Sequence, residues 1–105
     1  MSEQPLVQQL AAFAARTSPA TLPAEVRNSV KDRLLDTLGI CLASQAQGLA
    51  DGVATVVRDW GGKPEAGLIG SGGQFPAGAA ALVNGTLAHC LDFDDTHLPL
   101  SLIHI

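Results

Sequence analysis

The chain has 105 residues, 47% of them hydrophobic, which suits one globular domain with a thin core better than a disordered segment. Six lysines and arginines against ten aspartates and glutamates give a formal charge of −4, which argues against nucleic-acid binding, since phosphate recognition needs clustered positive charge. No stretch approaches the roughly 20 apolar residues of a membrane helix, and no secretory signal is visible, so a cytoplasmic location is expected.

The first half of the chain is predicted to form two helices. Apolar residues at helical spacing run from Pro5 to about Arg16, and a Thr-Ser-Pro break follows at residues 17–19. A second helix is expected to begin near Pro23, with an acidic residue in its first turn. Gly39 within this helix would permit a close neighbour. The helix is predicted from apolar positions that recur every four residues: Val26, Val30, Leu34, Leu38 and Leu42.

The second half is predicted to form two more helices around a short extended segment. A helix over about residues 49–60 ends at two glycines, which commonly terminate helices. Residues 65–70 are too glycine-rich for a helix and are expected to be extended, before a turn at residues 71–74. Pro76 opens an alanine-rich helix over about residues 77–91, whose small side chains favour close packing inside a bundle. The predicted class is mainly α, with about four helices.

The two cysteines, Cys41 and Cys90, lie far apart in sequence and form no CxxC pair. Both fall in apolar helical patterns, where a cysteine usually acts as a small buried hydrophobe. A cytoplasmic setting disfavours a disulfide between them. Both thiols are therefore expected to be free and buried.

The most unusual stretch is residues 89–97, where acidic residues follow a helix and histidines flank them. The carboxyl end of a helix favours positive charge, so carboxylates there suggest chemistry, with a solvated acidic helix end as the plain alternative. If the helix continues, steps of about 100° bring His89, Asp92 and Thr96 onto one face. A proton-transfer group, a carboxylate and a hydroxyl would then lie together. Alternatively, the helix ends near Leu91.

Two other chemistries fit the same stretch less well. Carboxylates and histidines can hold a divalent cation, but their spacing matches neither HExxH nor the EF-hand loop, so no metal is predicted. Residues 92–96 also fit the DxDxT pattern of haloacid-dehalogenase-like phosphatases. That pattern requires an apolar β-strand directly before the first aspartate, whereas residues 84–89 read as the end of a helix. The phosphatase match is therefore interpreted as accidental.

A longer stretch, residues 84–97, reads NGTLAHCLDFDDTH and resembles the signature of the MmgE/PrpD family. LDTLG at residues 35–39 and AAALVNG at residues 79–85 are also similar to family sequence. The family includes 2-methylcitrate dehydratase, cis-aconitate decarboxylase and an iminodisuccinate epimerase, which have a large helical domain, a smaller α+β domain and an active site between them. The resemblance extends to Pro99 and implies that the chain is a fragment of the helical domain.

The resemblance also implies which residues act and by what chemistry. Family members use neither a metal nor an organic cofactor, and they act beside carboxylates by dehydration, decarboxylation or epimerisation. By similarity, Asp92 and Thr96 lie in the active site, with Asp92 touching the substrate or a catalytic neighbour. His89, Asp95 and His97 match the motif with weaker claims to direct roles, and for His89 a packed structural role is the alternative.

The implied substrates are small di- or tricarboxylates, which require basic residues or helix amino-termini. None of the chain's six basic residues lies beside the acidic motif, so the site is expected to be incomplete here. The leading hypothesis is a truncated cofactor-independent lyase or isomerase, with dehydration like that of 2-methylcitrate dehydratase. Its full-length parent would be a homodimeric enzyme, and the fragment alone would be inactive. The alternative is a non-catalytic helical module that mediates self-association.

The last six residues depart from the family pattern. Family members continue to a His-Pro pair that carries another active-site histidine, whereas His104 is followed here by Ile105. The sequence LSLIHI is also one reading frame of a common transposase sequencing adapter. We therefore expect residues 1–99 to be a partial N-terminal helical domain and residues 100–105 to be a non-native tail. No catalytic role is assigned to His104.

Overall fold

A computed structural model describes residues 4–93. The predicted mainly α class is confirmed, with four α-helices and a small two-stranded sheet in that range. The chain divides within its second helix, between Asp32 and Arg33, into two compact units. The elements in chain order are α1 (Leu6–Arg16), a 3₁₀ helix (Pro19–Thr21), α2 (Ala24–Ala46), α3 (Asp51–Trp60), β1 (Ala66–Gly67), β2 (Gln74–Phe75) and α4 (Ala77–His89).

The observed elements differ from the predicted ones in three respects: the start of α3, the presence of β2 and the end of α4. α3 begins two residues later than predicted, because a turn containing Gly48 at φ 68° precedes it. β2 was not predicted, since a two-residue strand leaves no periodicity in the sequence. It is defined by antiparallel pairing with β1, in the register Ala66 to Phe75. α4 ends at His89, two residues earlier than predicted.

The first unit contains α1, the 3₁₀ helix and the start of α2, and none of its described residues is buried. α1 starts after Pro5 and is capped by Thr17, whose hydroxyl donates to the carbonyl of Phe13 at 2.7 Å. The side chains of Leu6 and Leu10 remain more than half exposed. The apolar spacing therefore predicts this helix correctly, but no core forms around it within the unit.

The second unit holds the core, which lies where α3, α4 and the strand pair contact each other. α4 supplies alanines and Val83 and Leu87, and small side chains let neighbouring backbones approach closely. This arrangement matches the tight packing predicted for the alanine-rich helix. The buried cluster consists of Cys41, Ala50, Ala54, Val57, Leu68, Ala79, Ala80, Val83 and Leu87.

The apolar stripe that predicts α2 is not the face that the second unit buries. Leu38 and Leu42 are exposed, whereas Ile40, Cys41 and Ser44 are buried. Periodicity therefore identifies the helix, but it does not identify which side faces the core. Within residues 4–93, no single helix is both long and apolar enough to cross a membrane; α2 and α3 pass that test only as a pair, bent by 88° at their break.

The two cysteines have different environments, and neither forms a disulfide. Cys41 is buried as predicted, and desolvation raises the pKa of its thiol, partly opposed by a hydrogen bond with the backbone. The prediction of burial is wrong for Cys90, which is exposed. Cys90 directly follows α4, and its thiol donates to the carbonyl of Leu49 at 3.9 Å.

We expect Ser44→Ala to stabilise the second unit by about 1 kcal/mol. On folding, a buried hydroxyl without a partner loses its hydrogen bonds to water and gains none within the protein. Ser44 is fully buried, and its Oγ has no partner among the described residues. Alanine also has the higher helix propensity, worth at most about 0.7 kcal/mol. Urea unfolding followed by circular dichroism measures the effect. A loss of stability on substitution would contradict the burial argument.

Candidate functional site

The two candidate site residues that the structure describes lie at the carboxyl end of α4: His89 is its last residue, and Asp92 follows it by three residues. Val83 and Leu87 anchor one face of the helix in the core. The last turn closes with the Cys90 amide donating to the Thr86 carbonyl at 2.9 Å. Packing of the helix body therefore fixes the position of its end.

Asn84 links α4 to the last residue of β1 and to the segment that follows it. Its Nδ2 donates to the carbonyl of Gly67 at 3.1 Å, and its Oδ1 accepts from the amide of Ile69 at 2.9 Å. Its own carbonyl accepts from the Cys41 thiol at 3.9 Å. These bonds satisfy backbone groups on either side of the buried Leu68. Sequence reasoning missed this role, although an amide among apolar helical residues is the signal that could have found it.

The chain leaves the helix directly after His89. The amide of Asp92 donates to the His89 carbonyl at 3.0 Å, and Asp92 has φ 54°, a left-handed conformation that aspartate tolerates better than most residues. Of the two alternatives for this stretch, the continued helix that would bring His89 and Asp92 onto one face is not observed, because Asp92 lies outside the helix; Thr96 lies outside the described residues. The alternative, in which the helix ends near Leu91, is close to what is observed.

The end of α4 is exposed and lacks nearby basic residues in sequence. His89, Asp92 and Phe93 are all exposed, and residues 64–93 contain no lysine or arginine. A carboxylate at this position faces the negative end of the helix dipole. The groups that would neutralise an anionic ligand must therefore come from other parts of the protein.

An open groove of about 460 Å³ runs along α4 toward His89. Gly85 leaves open space at its middle. The hydroxyl of Thr86 donates to the Leu82 carbonyl at 2.9 Å, so it is engaged by the helix itself. The groove therefore offers an apolar wall with an imidazole at one end, and its lining consists of Ala81, Leu82, Gly85, Thr86, His89 and Cys90.

The remaining candidate residues, Asp95, Thr96 and His97, lie outside the described residues, as does the tail at residues 100–105. Their roles and the tail's origin stay predictions. Between residues 4 and 93, no three histidine, cysteine, aspartate or glutamate side chains are grouped so as to hold a metal ion. The residues before Asp92 form a helix, so the strand required by the phosphatase pattern is not found there.

Comparison with known proteins identifies the family. The model of the MmgE/PrpD N-terminal domain matches residues 8–104, nearly the whole chain, including all of residues 84–97. No curated protein and no solved structure matches the chain. The resemblance first noted at the acidic segment thus extends across α1 to α4. The chain belongs to the MmgE/PrpD family, in the part described as its N-terminal domain.

Proposed function

We propose that the chain is the N-terminal part of a cytoplasmic, cofactor-independent lyase or isomerase that acts on a small di- or tricarboxylate. Dehydration like that of 2-methylcitrate dehydratase is the leading reaction, and the parent enzyme is a homodimer. The observation that carries the proposal is the family match across residues 8–104. Support comes from the end of α4, where the exposed Asp92 has a left-handed conformation three residues after His89, which lines the groove.

The proposed roles follow from what dehydration requires. A proton leaves a carbon beside a carboxylate, and hydroxide leaves the neighbouring carbon with a proton supplied to it. We assign Asp92 to contact the substrate or orient a neighbouring base, and Thr96 to donate a hydrogen bond to the substrate. His89, Asp95 and His97 have secondary roles. Binding of the substrate carboxylates is assigned to basic residues outside residues 64–93.

The test uses the complete protein encoded by the gene, because much of the proposed site lies beyond α4. Proton NMR of the protein with a panel of hydroxylated and unsaturated di- and tricarboxylates distinguishes elimination of water, loss of carbon dioxide and inversion at carbon. Sedimentation velocity on the same preparation measures the proposed dimer. Absence of turnover on the whole panel would overturn the proposed function.

Asp92→Asn is expected to lower kcat/KM on the best substrate by at least about 100-fold, because it removes the carboxylate from the proposed site. Asparagine also tolerates a positive φ, so the turn at Asp92 should survive the substitution. Asp59→Asn, at an exposed position of α3, removes the same charge away from the site and should leave kcat/KM unchanged. Equal activity of the two variants would remove Asp92 from the site.

The competing function is a non-catalytic helical module that self-associates. The observation in its favour is that α1 buries none of its residues while presenting Leu6, Leu10 and Phe13 to solvent. Large exposed apolar surfaces commonly mark interaction sites. Concentration-dependent sedimentation of a protein that turns over none of the panel would favour this module over the enzyme.

A further inference from the structure

Asn84 is followed by Gly85, and this pair is chemically labile in a flexible chain. The backbone amide of the residue after an asparagine can attack the asparagine side chain, and glycine hinders this attack least because it has no Cβ. The chain contains one other asparagine, Asn28, which is followed by the larger Ser29. Asn84 is therefore the position where spontaneous loss of the side-chain amide would be fastest in the unfolded chain.

The folded structure restrains both reacting groups at this position. The Asn84 amide is held at both ends, by Gly67 and by Ile69. Gly85 lies within α4, where each interior amide donates to the carbonyl four residues earlier and the backbone has helical angles. For the Gly85 nitrogen to reach the Asn84 side chain and form a five-membered ring, the side-chain amide and the backbone around Asn84 must rotate toward each other. The hydrogen bonds of both groups oppose this rotation.

We propose that Asn84-Gly85 is a deamidation site. The folded state protects it from reaction, and opening of α4 makes it reactive. The Gly85 nitrogen forms a bond to Asn84 Cγ and loses its proton, the bond from Cγ to Nδ2 breaks, and Nδ2 leaves as ammonia with one proton gained. Water then adds to either carbonyl of the resulting succinimide and opens it to aspartate or isoaspartate. No oxidant or reductant takes part in the reaction.

Either product would oppose refolding of the second unit. An ionised aspartate has no hydrogen to donate, so a carboxylate oxygen would face the Gly67 carbonyl in place of Nδ2. Isoaspartate adds a methylene group to the backbone inside α4, which breaks the helical register. Unfolding would therefore become irreversible with time. This inference is independent of the proposed enzymatic function.

The test compares the chain in buffer with the chain in concentrated guanidinium chloride, both incubated at mildly alkaline pH. Peptide mass spectrometry measures the replacement of NH₂ by OH at Asn84 and at Asn28. In guanidinium, Asn84 should convert faster than Asn28, and Gly85→Ala should slow it. In buffer, conversion at Asn84 should be at least about tenfold slower than in guanidinium, because it then follows the population of the opened helix.

Circular dichroism of the buffer sample establishes that α-helix is present during the incubation. Equal rates at Asn84 in buffer and in guanidinium would overturn the claim that folding protects Asn84. Faster conversion at Asn28 than at Asn84 in guanidinium would overturn the claim that Asn84 is the more reactive asparagine. Refolding of the aged sample tests the consequence. Modified chains should be depleted from the refolded fraction separated by size exclusion, and equal recovery of modified and unmodified chains would overturn the irreversibility.

Discussion

Leu87→Ala is expected to lower the free energy of unfolding of the second unit by about 3 kcal/mol, through lost burial and the cavity left behind. Leu87 is 0% exposed and is one of the largest fully buried side chains among the described residues. It lies two residues before the end of α4, so its loss also weakens the anchor of His89. For a chain of this size such a loss is a large part of the total stability.

Leu82→Ala is the matched control, because Leu82 is in the same helix and is 47% exposed. It makes the same change in side-chain volume and helix propensity but creates no internal cavity. Urea unfolding monitored by circular dichroism should give a much larger loss for Leu87→Ala than for the control. Similar losses from the two substitutions would mean that the described core does not form.

Gly62→Ala is expected to destabilise the second unit by at least about 3 kcal/mol, through backbone strain and overpacking together. Gly62 has φ 113°, a conformation that residues with a Cβ rarely adopt. An added Cβ would lie 2.7 Å from Cγ of Pro76, which is too close for any real contact. The proline ring is stiff and directly precedes α4, so either this helix or the end of α3 would have to shift.

The control for this substitution is Gly72→Ala. A Cβ at Gly72 would meet no atom within 4 Å, and its φ is not left-handed, so the effect should stay within about 0.5 kcal/mol. Thermal unfolding of both variants measures the difference. Comparable transition temperatures for the two would show that the contact between Gly62 and Pro76 is not maintained in solution.

The candidate site was only partly predictable from the sequence. The family signature contains His89 and Asp92 and lies within the family match over residues 8–104, and the roles of the two residues stay predictions. The sequence left open whether Asp92 continues the helix or follows its end, because an apolar pattern does not signal a single residue that adopts φ 54°. The two side-chain bonds of Asn84 were also not predictable, since its partners lie 15 and 17 residues away along the chain.

The sequence by itself determined the four helices, their approximate ends and the family, because these depend on local spacing, on glycine and proline positions and on one contiguous motif. Only the tertiary structure decided which faces are buried. Cys41 and Cys90 occupy similar apolar patterns, yet one is buried and the other exposed. Likewise, Leu42 is exposed while Ser44 of the same helix is buried. Burial depends on which distant segments meet, and the spacing of apolar residues along the chain does not encode those contacts.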